Sequence, residues 1–170
     1  MKNAKTHYEK GIKHEDAGRL EKAIAEFRLS AQDDPSNIEV YEHLADCLQE
    51  LDREPEAVEL WQEVVRAYPD SPRVHSDLGI AFGQNGQDVE TLVEYYMALE
   101  LGSDDAHIYF NIGLALMNLD RYEEAITICL NAVNRFPDEG RIHSILGDAY
   151  KWSHRYVEAI SSYEKSYQCR

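Results

Sequence analysis

Residues 106–139 read AHIYFNIGLALMNLDRYEEAITICLNAVNRFPDE. Gly113 is followed by a second small residue at Ala125, then by Cys129, and Pro137 closes the stretch. The same order recurs along the chain. Pro35 and Pro69 lie 34 residues apart, Pro137 falls two periods further on, and Ser103 occupies the missing place. Counting back from these markers divides the chain into five units at 4–37, 38–71, 72–105, 106–139 and 140–170. Gly11, Ala45, Gly79, Gly113 and Gly147 then share one column. Ala23, Ala57, Thr91, Ala125 and Ala159 share a second, and Phe27, Trp61, Tyr95, Cys129 and Tyr163 a third.

A fixed period of this size is the signature of a repeat array, in which each unit buries its apolar face on its neighbours. Small residues let two helices of a repeat approach closely, the large third column fills the space between neighbouring repeats, and proline ends the second helix because it cannot continue one. The pattern predicts ten helices near 4–17, 20–33, 38–51, 54–67, 72–85, 88–101, 106–119, 122–135, 140–153 and 156–169.

These columns resemble the tetratricopeptide repeat from residue 4 to residue 170. The resemblance implies an all-α, right-handed superhelical solenoid with antiparallel helix pairs and a concave protein-binding face. One junction departs from it. Leu101-Gly102-Ser103-Asp104 stands where the other internal junctions carry proline, which predicts a hinge between repeats 3 and 4.

Composition narrows the function. The 170 residues carry 17 Lys and Arg against 32 Asp and Glu, a net charge of -15. Such a balance argues against nucleic acid and against docking on anionic lipid. Mean hydropathy is -0.54, with no long apolar run and no apolar leader, so the expectation is a cytoplasmic protein without membrane insertion. Cys47, Cys129 and Cys169 show no paired spacing and read as reduced thiols. There is no phosphate-cradling loop, nucleophile elbow or zinc-binding motif, so neither catalysis nor a cofactor is expected. His7, His75 and His143 share one repeat position and read as packing residues with one nitrogen satisfied. Cation binding at His43 with Glu42 and Asp46 is the reading from another class, that of a sensor or enzyme accessory domain.

By the resemblance, the groove receives Tyr8 and Ile12 from repeat 1, Glu42 and Asp46 from repeat 2, and Arg73 and Ile80 from repeat 3. Phe110, Asn111, Leu114 and Met117 follow from repeat 4, and Arg141, Lys151 and Trp152 from repeat 5. The groove would thus run from acidic through apolar to cationic and aromatic. Proteins or peptides are the expected partners. The carboxylate clamp of chaperone-binding relatives is absent: Arg73 alone fits in repeats 1–3, and Asn111 and Arg141 alone in repeats 3–5.

A magnetosome-associated branch of the family is resembled more closely. The residues are Lys10-Gly11-Ile12 with His14, Ala115-Leu116 with Asn118-Leu119 and Arg121, and Pro137 through His143. That resemblance implies a self-assembling scaffold held at a vesicle surface by protein partners, although only Met1–Asn3 precede repeat 1 here where the branch has a longer stretch. A general bacterial adaptor or co-chaperone-like module is the alternative.

Charge by repeat runs -1, -8, -6, -3 and +2. Tyr156, Ile160, Tyr163 and Tyr167 form one stripe of the last helix, beside Lys165 and Arg170, and no capping helix follows in this sequence. Part of the stripe should pack inward. The rest predicts a weak homo-oligomer that seeks the acidic surface of repeats 2 and 3.

Overall fold

The computed structural model describes residues 2–169, so Arg170 of the expected terminal edge lies outside the described residues. Ten helices follow one another: α1 (Lys2–Glu15), α2 (Leu20–Asp33), α3 (Ile38–Glu50), α4 (Glu54–Ala67), α5 (Pro72–Gln84), α6 (Asp88–Glu100), α7 (Ala106–Asn118), α8 (Tyr122–Arg135), α9 (Gly140–Trp152) and α10 (Tyr156–Gln168). Among the described residues there is no strand. The expected boundaries agree within two residues; α1 starts and stops earlier than its period predicts.

The chain divides into two compact units, one ending at Asn85 and the other beginning at Gly86. In the first unit, α1 packs on α2, α2 on α3, α3 on α4 and α4 on α5. In the second, α6 through α10 pack in the same sequential manner, and α7 also touches α9. Phe27, Val40, Leu44 and Leu48 anchor the first core, with Val58, Trp61, Val74 and Leu78 beside them. Ile108, Ile112, Leu116, Cys129 and Ile142 are buried in the second.

The turn inside each repeat obeys one rule. The fifteenth residue of every repeat is left-handed: Gly18 at φ +65°, Asp52 at +54°, Gly86 at +73°, Asp120 at +57° and His154 at +60°. Paired backbone bonds close these helix ends, as in Asp52 N–H to the Gln49 carbonyl at 3.0 Å and Arg53 N–H to the Leu48 carbonyl at 2.9 Å. Gly102 ends α6 the same way, at φ +94°, with Ser103 N–H donating to the Ala98 carbonyl at 2.9 Å. The glycine junction that predicts a hinge is therefore a capped helix end inside the second unit, and the division between units falls at residues 85 and 86.

The second helix of each repeat starts without a capping side chain, and three of the five start with an ion pair three residues apart. Arg53 meets Glu56, Arg121 meets Glu124 and Arg155 meets Glu158, at 2.6–3.0 Å.

The small and large columns meet directly. A Cβ placed on Gly11 would lie 2.4 Å from the Phe27 ring, and one on Gly147 would lie 2.6 Å from the Tyr163 ring. A Cβ on Gly113 would lie 3.0 Å from the Cys129 Sγ, a smaller neighbour, and 3.1 Å from the Ile145 Cγ2. Gly147→Ala is accordingly expected to cost about 1–3 kcal/mol by overpacking. Gly113→Ala combined with Cys129→Ala should recover most of the loss of Gly113→Ala alone. Thermal and urea unfolding followed by circular dichroism check both.

Candidate functional site

In the first unit, Tyr8 and Glu15 of α1 meet His43 of α3, and Glu42 of α3 meets Arg73 of α5. His43 of α3 stacks on Phe27, with ring centroids 5.2 Å apart. Its Nδ1–H donates to Glu15 at 2.9 Å, and its Nε2 shares a hydrogen bond with the Tyr8 hydroxyl at 3.2 Å. Burial and a hydrogen bond to Glu39, with the carboxylates of Glu15 and Glu42 nearby, push the Tyr8 phenol up to about 12, so it stays neutral. Tyr8 and Ile12 are half-buried against the Phe27 core, so each presents an edge rather than a full side chain to the groove.

Glu42, Asp46, Asp77 and Ile80 line one small cavity of about 70 Å³, together with Gln49 and Gln84. Gln84 donates to Gln49 across it at 2.8 Å. Arg73 is tied to Glu42 by a short ion pair at an exposed edge. Asp77 has no such partner: its Oδ2 is buried without a hydrogen bond. Burial, reinforced by Glu42 and opposed by Arg73, pushes its carboxyl from 3.8 up to about 7.

In the second unit, Phe110 of α7 is half-buried under the Arg141 guanidinium, 5.0 Å from the ring centroid. Arg141 also donates to Glu139 at 3.0 Å. Leu114 is exposed, and Met117 is half-buried. Asn111 carries a buried Nδ2 without a hydrogen-bond partner. Trp152 is more than half exposed and stacks on Tyr122, 6.1 Å centroid to centroid with planes 15° apart. The Lys151 ammonium lies 5.8 Å from the Trp152 ring. The recorded ring contacts thus give Trp152 to Tyr122 and Phe110 to Arg141.

Asp77 and Asn111 occupy the same place, the sixth residue of successive repeats. Sequence comparison with the carboxylate clamp passes over Asp77 because its residue type is wrong. What singles it out is the missing partner, and no sequence signal carries that. Tyr122 is missed for a similar reason: it opens a second helix, outside the set of groove positions.

The three equivalent histidines act as their shared position predicts. His75 and His143 direct Nε2 at the carbonyls of Pro69 and Pro137, at 2.8 and 3.0 Å, and His7 directs Nδ1 at Glu26 at 2.6 Å. Among the described residues, no group of three or more His, Cys, Asp or Glu side chains is arranged to hold a metal ion. No helix there is long and apolar enough to cross a membrane. Burial pushes the Cys47 and Cys129 thiols up to about 12, and all three cysteines are free.

Two tetratricopeptide repeat family models match residues 15–77 and 106–139, together more than half of the chain. The chain belongs to the tetratricopeptide repeat family. Its fold is that of a MamA crystal structure, with TM-score 0.83 at 20% identity over 98% of this chain and 91% of that one. MamA MSR-1 matches with TM-score 0.77 and 25% identity, over 98% and 95% of the two chains. YrrB, described as a TPR protein with an unusual peptide-binding site, matches with TM-score 0.75 and 18% identity over 96% and 84%. Protein FlbA of Caulobacter vibrioides is 31% identical over 108 residues, 64% of this chain. The chain spans only 18% of the length of FlbA.

Asp77 gives this tetratricopeptide face a pH signature. Below about pH 4 the carboxyl is neutral in both the folded and the unfolded chain. As pH rises from about 4 to about 7, the unfolded chain has ionised while the folded one still holds its proton, so stability falls and levels off once the buried group charges. Asp77→Asn is expected to be nearly silent at pH 4 and to stabilise by about 1–2 kcal/mol at pH 8. Urea unfolding at the two pH values measures it.

Proposed function

We propose that the chain is a non-catalytic interaction scaffold that binds a peptide or partner segment along the first helices of its repeats. One observation carries this reading. Asp77 and Asn111 each hold a buried polar atom, on groove positions of successive repeats, with nothing to bond. An unpaired buried polar atom costs about 1–3 kcal/mol. A bound main chain or side chain would recover that cost: Asn111 Nδ2 would donate to a peptide carbonyl, and Asp77 would accept from an amide or a cation. The half-buried Phe110 and exposed Leu114 beside Asn111 favour an aliphatic or aromatic ligand side chain there. Glu42, Asp46 and Asp77 favour a basic residue in the first unit. The likeness to YrrB supports the same use of the fold.

Within this reading the scaffold also self-associates through the uncovered part of α10. A magnetosome-associated role, peripheral to the vesicle through protein partners, is the specific case that the likeness to MamA favours. A fluorescent fusion in the source cells tests that case: alignment with magnetosomes supports it, and a host without magnetosomes eliminates it.

Peptides selected from a random display library on the immobilised chain test groove binding itself. Selected sequences should pair basic with aliphatic or aromatic residues. Phe110→Ala, Leu114→Ala and Asn111→Ala should each weaken the selected peptides about tenfold, near 1.4 kcal/mol, by calorimetry. Undiminished affinity in well-folded variants would move the binding site off this face.

A further inference from the structure

Two apolar strips of the second unit are uncovered. The first lies on α6, where Val89 and Val93 are 57% and 58% exposed and Tyr96 and Met97 about two-fifths exposed. Their spacings of four, three and one place them on one side of the helix. The opposite side is already satisfied, with Thr91, Leu92, Tyr95 and Ala98 buried. The repeat does not require the outer strip. The same places hold Glu21, Ala25, Arg28 and Leu29 in repeat 1, and Pro55, Glu59, Gln62 and Glu63 in repeat 2. Apolar residues have accumulated here alone. Helix α6 also has four acidic residues and no cation, and Glu90 and Glu100 are exposed beside the strip.

The second strip is on α10. Tyr156, Val157, Ile160 and Tyr167 are each more than half exposed, whereas Ala159 and Ser162 are buried and Tyr163 packs on Gly147 with its hydroxyl donating to Asp148 at 2.7 Å. Tyr163 is thus the member of the expected stripe that turns inward. Around this strip stand the exposed cations Lys151 and Lys165, and Arg155, whose charge is shared with Glu158 and Glu123. Glu158 is tied to Arg155 at 3.0 Å, which leaves Glu164 as the one exposed acid of α10. Repeat 5 is the only repeat with a positive net charge, and repeat 3, which contains α6, stands at -6.

We infer that the α10 strip of one molecule docks on the α6 strip of a second copy. Each surface is apolar at its centre, and the surrounding charges are opposite in sign, so each supplies what the other lacks. The two surfaces differ, so the contact is heterologous, and each bound molecule offers a free strip to the next. This inference rests on the self-association proposed above and adds the receiving surface and the head-to-side mode.

Sedimentation velocity of the whole chain tests it, with the variants Val93→Glu and Ile160→Glu. Both positions are exposed, so both variants should keep the helical signal and melting temperature of the parent. The parent chain should grow beyond dimers with concentration at low salt and dissociate in part in 0.5 M NaCl, because the charge contribution is screened. Each variant alone should show an apparent dissociation constant raised at least tenfold. Mixed in equal amounts, they retain one intact pair of surfaces, α10 of Val93→Glu and α6 of Ile160→Glu. The mixture should therefore form a complex that stops at two molecules. A monomeric mixture, or an unimpaired single variant, while the parent associates would overturn the α6–α10 contact and leave self-association standing. A parent chain that stays monomeric at low salt would overturn both.

Discussion

The close approach of a glycine on a first helix to a large side chain on the second is the contact on which this molecule depends. Where Gly11 meets Phe27 and Gly147 meets Tyr163, no room remains for even one methyl group. The approach sets the distance between paired helices, and that distance sets how far the next repeat must lie to bury what remains. Close-packed interiors transmit such constraints because they contain few voids to absorb a misfit. The left-handed residue at the end of each first helix serves the same end: it turns the chain sharply enough for the second helix to return along the first. Glycine takes this conformation freely, and Asp52, Asp120 and His154 take it at modest cost.

With the frame set by small and large columns, the remaining positions of the first helices are free to vary. The first unit uses them for carboxylates, the Tyr8–His43–Glu15 network and Arg73. The second uses them for Phe110, Leu114, Met117 and Asn111, with Arg141 and Lys151 over aromatic rings. These are two chemically different faces on one scaffold. Repeat proteins diversify in this way because each repeat touches only its neighbours, so a groove residue changes without disturbing distant packing.

The sixth residue of each repeat illustrates how one position takes several roles. In repeat 2 it is His43, saturated by Glu15 and Tyr8. In repeat 5 it is Ile145, buried and apolar. In repeats 3 and 4 it is Asp77 and Asn111, each with a buried atom left unpaired. Polar groups that are buried and unpaired in a folded chain are uncommon, and one use for them is a ligand that completes them. The family of the chain supplies the expectation of binding, and these two atoms are the ones the proposed ligand would complete.

The sequence by itself determined the period, the helix boundaries to within two residues, and the columns of small and large residues, whereas the meeting of Gly11 with Phe27 and of Gly147 with Tyr163 inside one repeat is tertiary. The columns repeat every 34 residues, and periodicity reports local helix geometry and packing that is the same in every unit. The sequence also marked His75 and His143 as packing residues with one nitrogen satisfied, and the structure supplies the partner, the carbonyl of the proline six residues before each. The tertiary structure alone decided which polar groups found partners. His43 reaches Glu15 across 28 residues, Asn118 reaches Asp88 across 30, and Arg73 reaches Glu42 across 31. Such pairings depend on how neighbouring helices are set side by side and on which rotamer each side chain takes there. The spare apolar strip on α6 belongs to the same class. Its residues are legible in the sequence, but their exposure follows only from which side of α6 the helix packing covers.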